Sequence, residues 1–98
     1  MKCNSYNIFF KNFANDAKLS IIMCLQKKPM NVGRIARSVG QEQSAVSHNL
    51  QKLMLCKIVD VERKGKKRIY SLNKETIMPL LELVEKHRTT MCCNGCVK

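Results

Sequence analysis

The chain has 98 residues, 18 of them Lys or Arg and 7 Asp or Glu, giving a net charge of +11. That length makes a single small domain (1–98) whose own core is marginal and invites completion by a second copy. The charge exceeds what solubility requires and points to a polyanionic partner, while no apolar run exceeds the five residues 21–25, which excludes a membrane-spanning helix.

The basic residues do not lie along one helix opposite a broad apolar face, as a membrane-surface helix requires, so nucleic acid is the favoured polyanion. Met1 is not followed by an apolar signal region, which predicts a cytoplasmic protein. In that compartment the six cysteines are expected to be reduced and available to metal rather than paired in a disulfide scaffold.

In chain order, Tyr6, Phe9, Phe10 and Phe13 fall at i, i+3, i+4 and i+7 and predict an amphipathic first helix ending near Asn15. Its aromatic stripe suits a core or a dimer contact. Asp16 is positioned to cap a second helix over 17–26, with Leu19, Ile22, Met23 and Leu25 as its apolar positions and Lys27, Lys28 and Pro29 as its stop. Cys24 in that helix reads as a small buried hydrophobe. Asn31 caps a short third helix whose Val32, Ile35, Ala36 and Val39 keep helical spacing up to Gly40.

The segment 43–55, QSAVSHNLQKLML, carries two chemically opposite faces. Val46, Leu50, Leu53 and Met54 form an apolar stripe. Ser44, Ser47, His48 and Gln51 form a polar one without a carboxylate, which suits a helix laid in the DNA major groove. Only a tight turn separates this segment from the third helix, so the two make a helix-turn-helix. Arg34, Arg37 and Lys52 flank the polar stripe as phosphate clamps.

Residues 58–63 and 68–72 alternate apolar and polar around Lys64, Gly65, Lys66 and Lys67, which predicts a β-hairpin with a cationic tip. The fold class is therefore mostly α with one small hairpin, a winged helix-turn-helix. Asn73 is placed to cap a last helix bearing Ile77, Leu80, Leu81, Val84 and Met91, with Pro79 starting or kinking it. The first and last helices are the expected homodimer interface, and two-fold symmetry implies an inverted-repeat operator in double-stranded DNA.

The run Asp16-Ala17-Lys18-Leu19, the pattern from Gln43 to Leu50 and the wing 59–72 resemble the ArsR/SmtB family of small dimeric metal-sensing repressors over roughly residues 5–88. That resemblance implies an operator-bound dimer that lets go when an inducer fills a sensing site. It also implies that Gln43, Ser44, Ser47 and His48 face the groove and that Lys64, Lys66, Lys67 and Arg68 belong to the wing. Glu42 stands where a Ser or Thr cap is common. The family's Cys-x-Cys is missing from 31–35, and the Asp/His pairs of the last helix are reduced to His87 alone.

In their place the tail 88–98 ends in Cys92, Cys93, Asn94, Gly95 and Cys96. If the helix runs through Cys93, Gly95 lets Cys96 fold back and three sulfurs converge. Three thiolates without a fourth ligand favour As(III) or Sb(III), and Cys3 as a fourth would admit Cd, Pb, Hg or Zn. DNA binding itself needs no cofactor.

Two alternatives share these residues. Cys93-x-x-Cys96 has a redox spacing, so reversible disulfide formation could release DNA without metal. A constitutive DNA-binding protein would share the charge and the hairpin. The chain lacks a catalytic constellation of paired carboxylates, Ser/His/Asp or glycine-rich phosphate loop, so no enzymatic activity is expected.

Overall fold

The computed structural model describes residues 5–91. Cys3, Cys92, Cys93 and Cys96, the metal ligands expected from the sequence, lie outside that range. The order of elements is α1 (Tyr6–Ala14), α2 (Asp16–Lys27), α3 (Val32–Val39), α4 (Gln43–Leu55), β1 (Val59–Lys64), β2 (Lys67–Leu72) and α5 (Ile77–Thr90). This is the winged helix-turn-helix expected from the sequence.

Short polar caps set the helix starts. Ser5 Oγ accepts from the Ile8 amide at 3.2 Å, and Asn31 Oδ1 accepts from the Arg34 amide at 2.8 Å. The cap of α2 is Asn15, whose Oδ1 accepts from the Lys18 amide at 2.9 Å. Asp16, the cap expected from the sequence, is instead the first helical residue, where its charge suits the positive helix end. Asn73 is likewise displaced from the cap of α5. It forms a turn before the helix, accepting from the Glu75 amide at 2.9 Å and donating to the Lys57 carbonyl at 2.9 Å. Pro79 is the third residue of α5, where a missing amide costs little.

The core gathers one face from each central element. Ile21, Ile22 and Leu25 of α2 meet Ile35 and Ala36 of α3, then Val46, Leu50 and Leu53 of α4. Ile58, Val59, Tyr70, Leu72 and Ile77 close it from the hairpin side. One pair of positions on α2 exchanges roles: Met23, expected inside, is exposed, and Ile21 takes its place.

Gly40 ends α3 at φ +69, a left-handed position that only glycine adopts cheaply. The turn is tied down from outside, because Gln41 Nε2 donates to the Ala17 carbonyl of α2 at 3.2 Å. Helix α4 closes with Ile58 N–H on the Leu53 carbonyl and Lys57 at φ +59, which directs the chain into β1.

The strands pair antiparallel from Val59 with Leu72 to Lys64 with Lys67, leaving Gly65 and Lys66 as a two-residue turn. Gly65 takes φ +64 at the first central position, as such hairpins require. An isolated bridge adds to the hairpin: Met30 N–H donates to the Tyr70 carbonyl at 3.0 Å, and Tyr70 N–H returns the bond to the Met30 carbonyl at 2.8 Å. The wing root is thereby stitched to the segment between α2 and α3.

The two end helices are only half used. Phe9 and Phe13 pack on the core, whereas Tyr6 is 85% exposed and Phe10 is 53% exposed. Ile77, Met78, Leu80 and Leu81 anchor α5, but Leu83 and Val84 stand open at 64% and 51%.

Asn31→Ala is expected to cost about 1 kcal/mol, lowering the melting temperature by roughly 4–8 °C in thermal unfolding, whereas Asn15→Ala should do the same to α2 and Asp16→Ala should not.

Candidate nucleic-acid interface

The candidate interface is built on α4, whose orientation is fixed by the three side chains it buries. Val46, Leu50 and Leu53 are fully inside. The opposite side then presents Gln43, Ser44, His48 and Gln51 toward solvent, with Ser47 half-buried at its boundary. Helix α4 begins at Glu42 without a side-chain cap, so the Ser or Thr that would normally accept from its first amides has no substitute there.

Helix α3 delivers Arg34 and Arg37 to the same head. The two helices approach closely at Gly33. A methyl group built there would lie 3.6 Å from Gln43 Oε1 and 3.9 Å from Arg37 Nη1, so the start of α4 and an α3 guanidinium flank the same glycine. That pairing of a neutral hydrogen-bonding side chain with a cation suits the border between base edges and phosphate.

The hairpin concentrates like charge. Arg63 sits opposite Arg68 and Lys64 opposite Lys67, all exposed, with Lys66 in the turn. Like charges directly across an antiparallel ladder repel, so this tip has a standing electrostatic cost in the free protein. A polyanion placed against it removes that cost, which a purely solvating surface has no reason to accumulate.

Lys52 is exposed on α4, as a phosphate contact has to be. Its charge also acts on Lys18 of α2. Burial, and secondarily the Lys52 charge, hold the Lys18 ammonium below the ordinary lysine range. Lys18 Nζ donates to Asn12 Oδ1 at 3.2 Å, while Asn12 Nδ2 donates to the Ile8 and Phe9 carbonyls and toward Cys56 Sγ at 3.4 Å. Asn12 is the one buried polar side chain among the described residues and links α1, α2 and the end of α4. Periodicity carries no signal for it, because a polar residue in an amphipathic helix normally marks the solvent side.

Cys56 is disulfide-bonded, which corrects the expectation that every thiol is reduced. Cys24 is free and half-buried. Among the described residues no three His, Cys, Asp or Glu side chains are grouped to hold a metal ion, and His87 stands exposed on α5. No helix among them is long and apolar enough to cross a membrane.

Lys52→Gln should raise the Lys18 pKa toward the ordinary lysine value without fully restoring it, since burial is the larger cause. NMR titration of the lysine ε-methylene signals measures this. Because the folded state disfavours protonated Lys18, its contribution to stability rises as pH climbs through the lowered value, and the substitution should flatten that rise.

Residues 15–61, which span α2 to the middle of β1, match the model of the bacterial regulatory proteins of the arsR family. The HTH-type transcriptional regulator NmtR of Mycobacterium tuberculosis is 36% identical over 69 residues, covering 70% of this chain and 58% of that protein. The regulator Rv0081 of the same organism is 34% identical over 79 residues, covering 80% of this chain and 69% of its own length. The chain spans about three fifths of the length of the first curated relatives it matches. Among solved structures, the homodimeric winged helix-turn-helix DNA-binding domain of Mb0332 from Mycobacterium bovis superposes with a TM-score of 0.79 at 26% identity, covering 92% of this chain and 83% of that one. These relatives are transcriptional regulators, not enzymes. The chain belongs to the ArsR family of bacterial regulatory proteins and carries its winged helix-turn-helix.

Proposed function

We propose that the protein is a cytoplasmic, homodimeric transcriptional repressor that holds an inverted-repeat operator and leaves it when a thiophilic ion binds the cysteines of its tail. The observation that carries the DNA-binding half is the pairing of a carboxylate-free polar stripe on α4 with a hairpin tip whose opposed residues are all cations. Gln43, Ser44, Ser47, His48 and Gln51 read base edges. Arg34, Arg37, Lys52, Lys64, Lys66, Lys67 and Arg68 hold phosphates and set register. Exposed Tyr6 and Phe10 on α1, with Leu83 and Val84 on α5, supply the apolar surface for a partner copy. The homodimeric state of the Mb0332 domain supports the same arrangement.

The sensing site assigned to this function is Cys92, Cys93 and Cys96, with Cys3 as a candidate fourth ligand. Three sulfurs suit As(III) or Sb(III), and four would admit Cd, Pb, Hg or Zn. Three thiols within five residues, close in sequence to the cationic Lys86 and Lys98 that favour thiolate over thiol, support that assignment. A second reading is favoured by the disulfide at Cys56: oxidation of thiols, rather than metal capture, would then be the releasing event.

Replacing Lys64, Lys66, Lys67 and Arg68 by Gln should weaken binding to all duplexes alike and reduce the salt slope of log K by about 0.9 for each phosphate no longer neutralised. Ser47→Ala or His48→Ala should instead cost roughly 1–3 kcal/mol on the operator and little on unrelated DNA, measured by fluorescence anisotropy.

The switch is tested by changing Cys92, Cys93 and Cys96 to Ser in turn. Each variant should keep operator affinity under reducing conditions and lose release by arsenite. Release by diamide that survives in the absence of any arsenite response would replace the metal reading with the redox one. Indifference to both agents would leave a constitutive DNA binder.

A further inference from the structure

The contact between Cys24 and Met30 is absorbed by neither the fold nor the proposed switch. The Cys24 thiol donates to Met30 Sδ at a sulfur–sulfur distance of 3.6 Å. Both line a cavity of about 540 Å³ between α2 and α3, together with Met23, Leu19, Val39 and Lys27. The two sulfurs are already in contact, so an ion that takes both requires them only to move apart slightly along side chains that face one cavity.

We propose that Cys24 and Met30 form a second metal site, selective for a soft monovalent ion such as Cu(I) or Ag(I), with Met23 as the available third sulfur. The donor set decides the ion. No His, Asp or Glu lines the cavity, and its side-chain oxygens are only the neutral Ser20 and Ser38 hydroxyls, so a hard or borderline divalent ion finds neither imidazole nor carboxylate to offset its charge. One thiolate neutralises one monovalent cation, and thioether sulfur adds a soft neutral ligand. On binding, the Cys24 S–H bond breaks and its proton passes to solvent. A Cys24 S–metal bond forms, Met30 lends a sulfur lone pair, and no atom changes oxidation state.

The position of Met30 gives such binding a mechanical consequence. Its backbone is bonded in both directions to Tyr70 of β2, and the next residue, Asn31, caps α3. An ion shared by Cys24 and Met30 therefore fastens α2 to the segment that joins the wing to the helix-turn-helix. This site is distinct from the tail cysteines and does not depend on their role.

The test uses the full-length chain with Cys3, Cys56, Cys92, Cys93 and Cys96 changed to Ser, so that Cys24 is its only thiol, and with ¹³C-methyl methionine. Ag(I) is titrated in and the methyl signals are followed by NMR. The Met30 methyl should shift and saturate at one silver ion per chain, with Met54 and Met78 unmoved as internal controls. The shift should vanish on adding Cys24→Ser, and Met30→Leu should abolish tight silver binding while the circular dichroism of the fold is kept. A Met30 signal that stays in place at saturating silver, or that moves equally without Cys24, overturns the proposal. Neither result bears on arsenite release by the tail, which is measured on the chain with its own cysteines.

Discussion

The burial of one face of α4 is the constraint on which the rest of the structure depends. Val46, Leu50 and Leu53 are removed from water completely. Each such side chain contributes about 1.5–3 kcal/mol relative to exposure, a total comparable to the whole stability of a small domain. The helix therefore cannot roll about its axis, and the Ser44, Ser47, His48 and Gln51 stripe is held in a fixed direction by apolar contacts it does not share. A surface of short polar side chains makes few bonds of its own within the protein, so its order has to come from behind.

The second constraint is electrostatic and works in the opposite sense. Arg63, Lys64, Lys67 and Arg68 face one another across the hairpin, and hydrophobic burial does not reach them. What keeps the wing in place is at its root, where Val59, Tyr70 and Leu72 are buried and Met30 adds its two backbone bonds. The wing is thus a rigid base carrying a self-repelling tip. A like-charge cost recurs at half-buried Lys18, whose ammonium burial and the Lys52 charge hold below the ordinary lysine range while Asn12 accepts its hydrogen bond.

The end helices complete this picture. Their inner residues close the core, while Tyr6, Phe10, Leu83 and Val84 leave apolar surface open. A chain of this size gains by burying that surface against a copy of itself, and two-fold pairing would also place two α4 helices on one duplex. The stability of the dimer and the spacing of its reading heads would then be one property.

Much of this was legible in the amino-acid sequence. The 3.6-residue periodicity of α4, the Asn31 cap, the Gly40 stop and the glycine among lysines at the hairpin tip each express a local rule, so α3, α4 and the wing were placed from residues alone. The sequence also determined the chemistry of the polar stripe and the excess of cations. Other features depended on tertiary packing. Asn15 capped α2 in place of Asp16, and Ile21 entered the core in place of Met23, because the exact phase of a helix is set by what it packs against. Buried Asn12, the Met30–Tyr70 bridge and the Cys24–Met30 contact join residues whose partners lie on other elements, and no local pattern announces them. The sequence by itself determined which face of α4 is polar and free of carboxylates; only the tertiary structure decided what holds that face still, because periodicity names a face while packing chooses its neighbours.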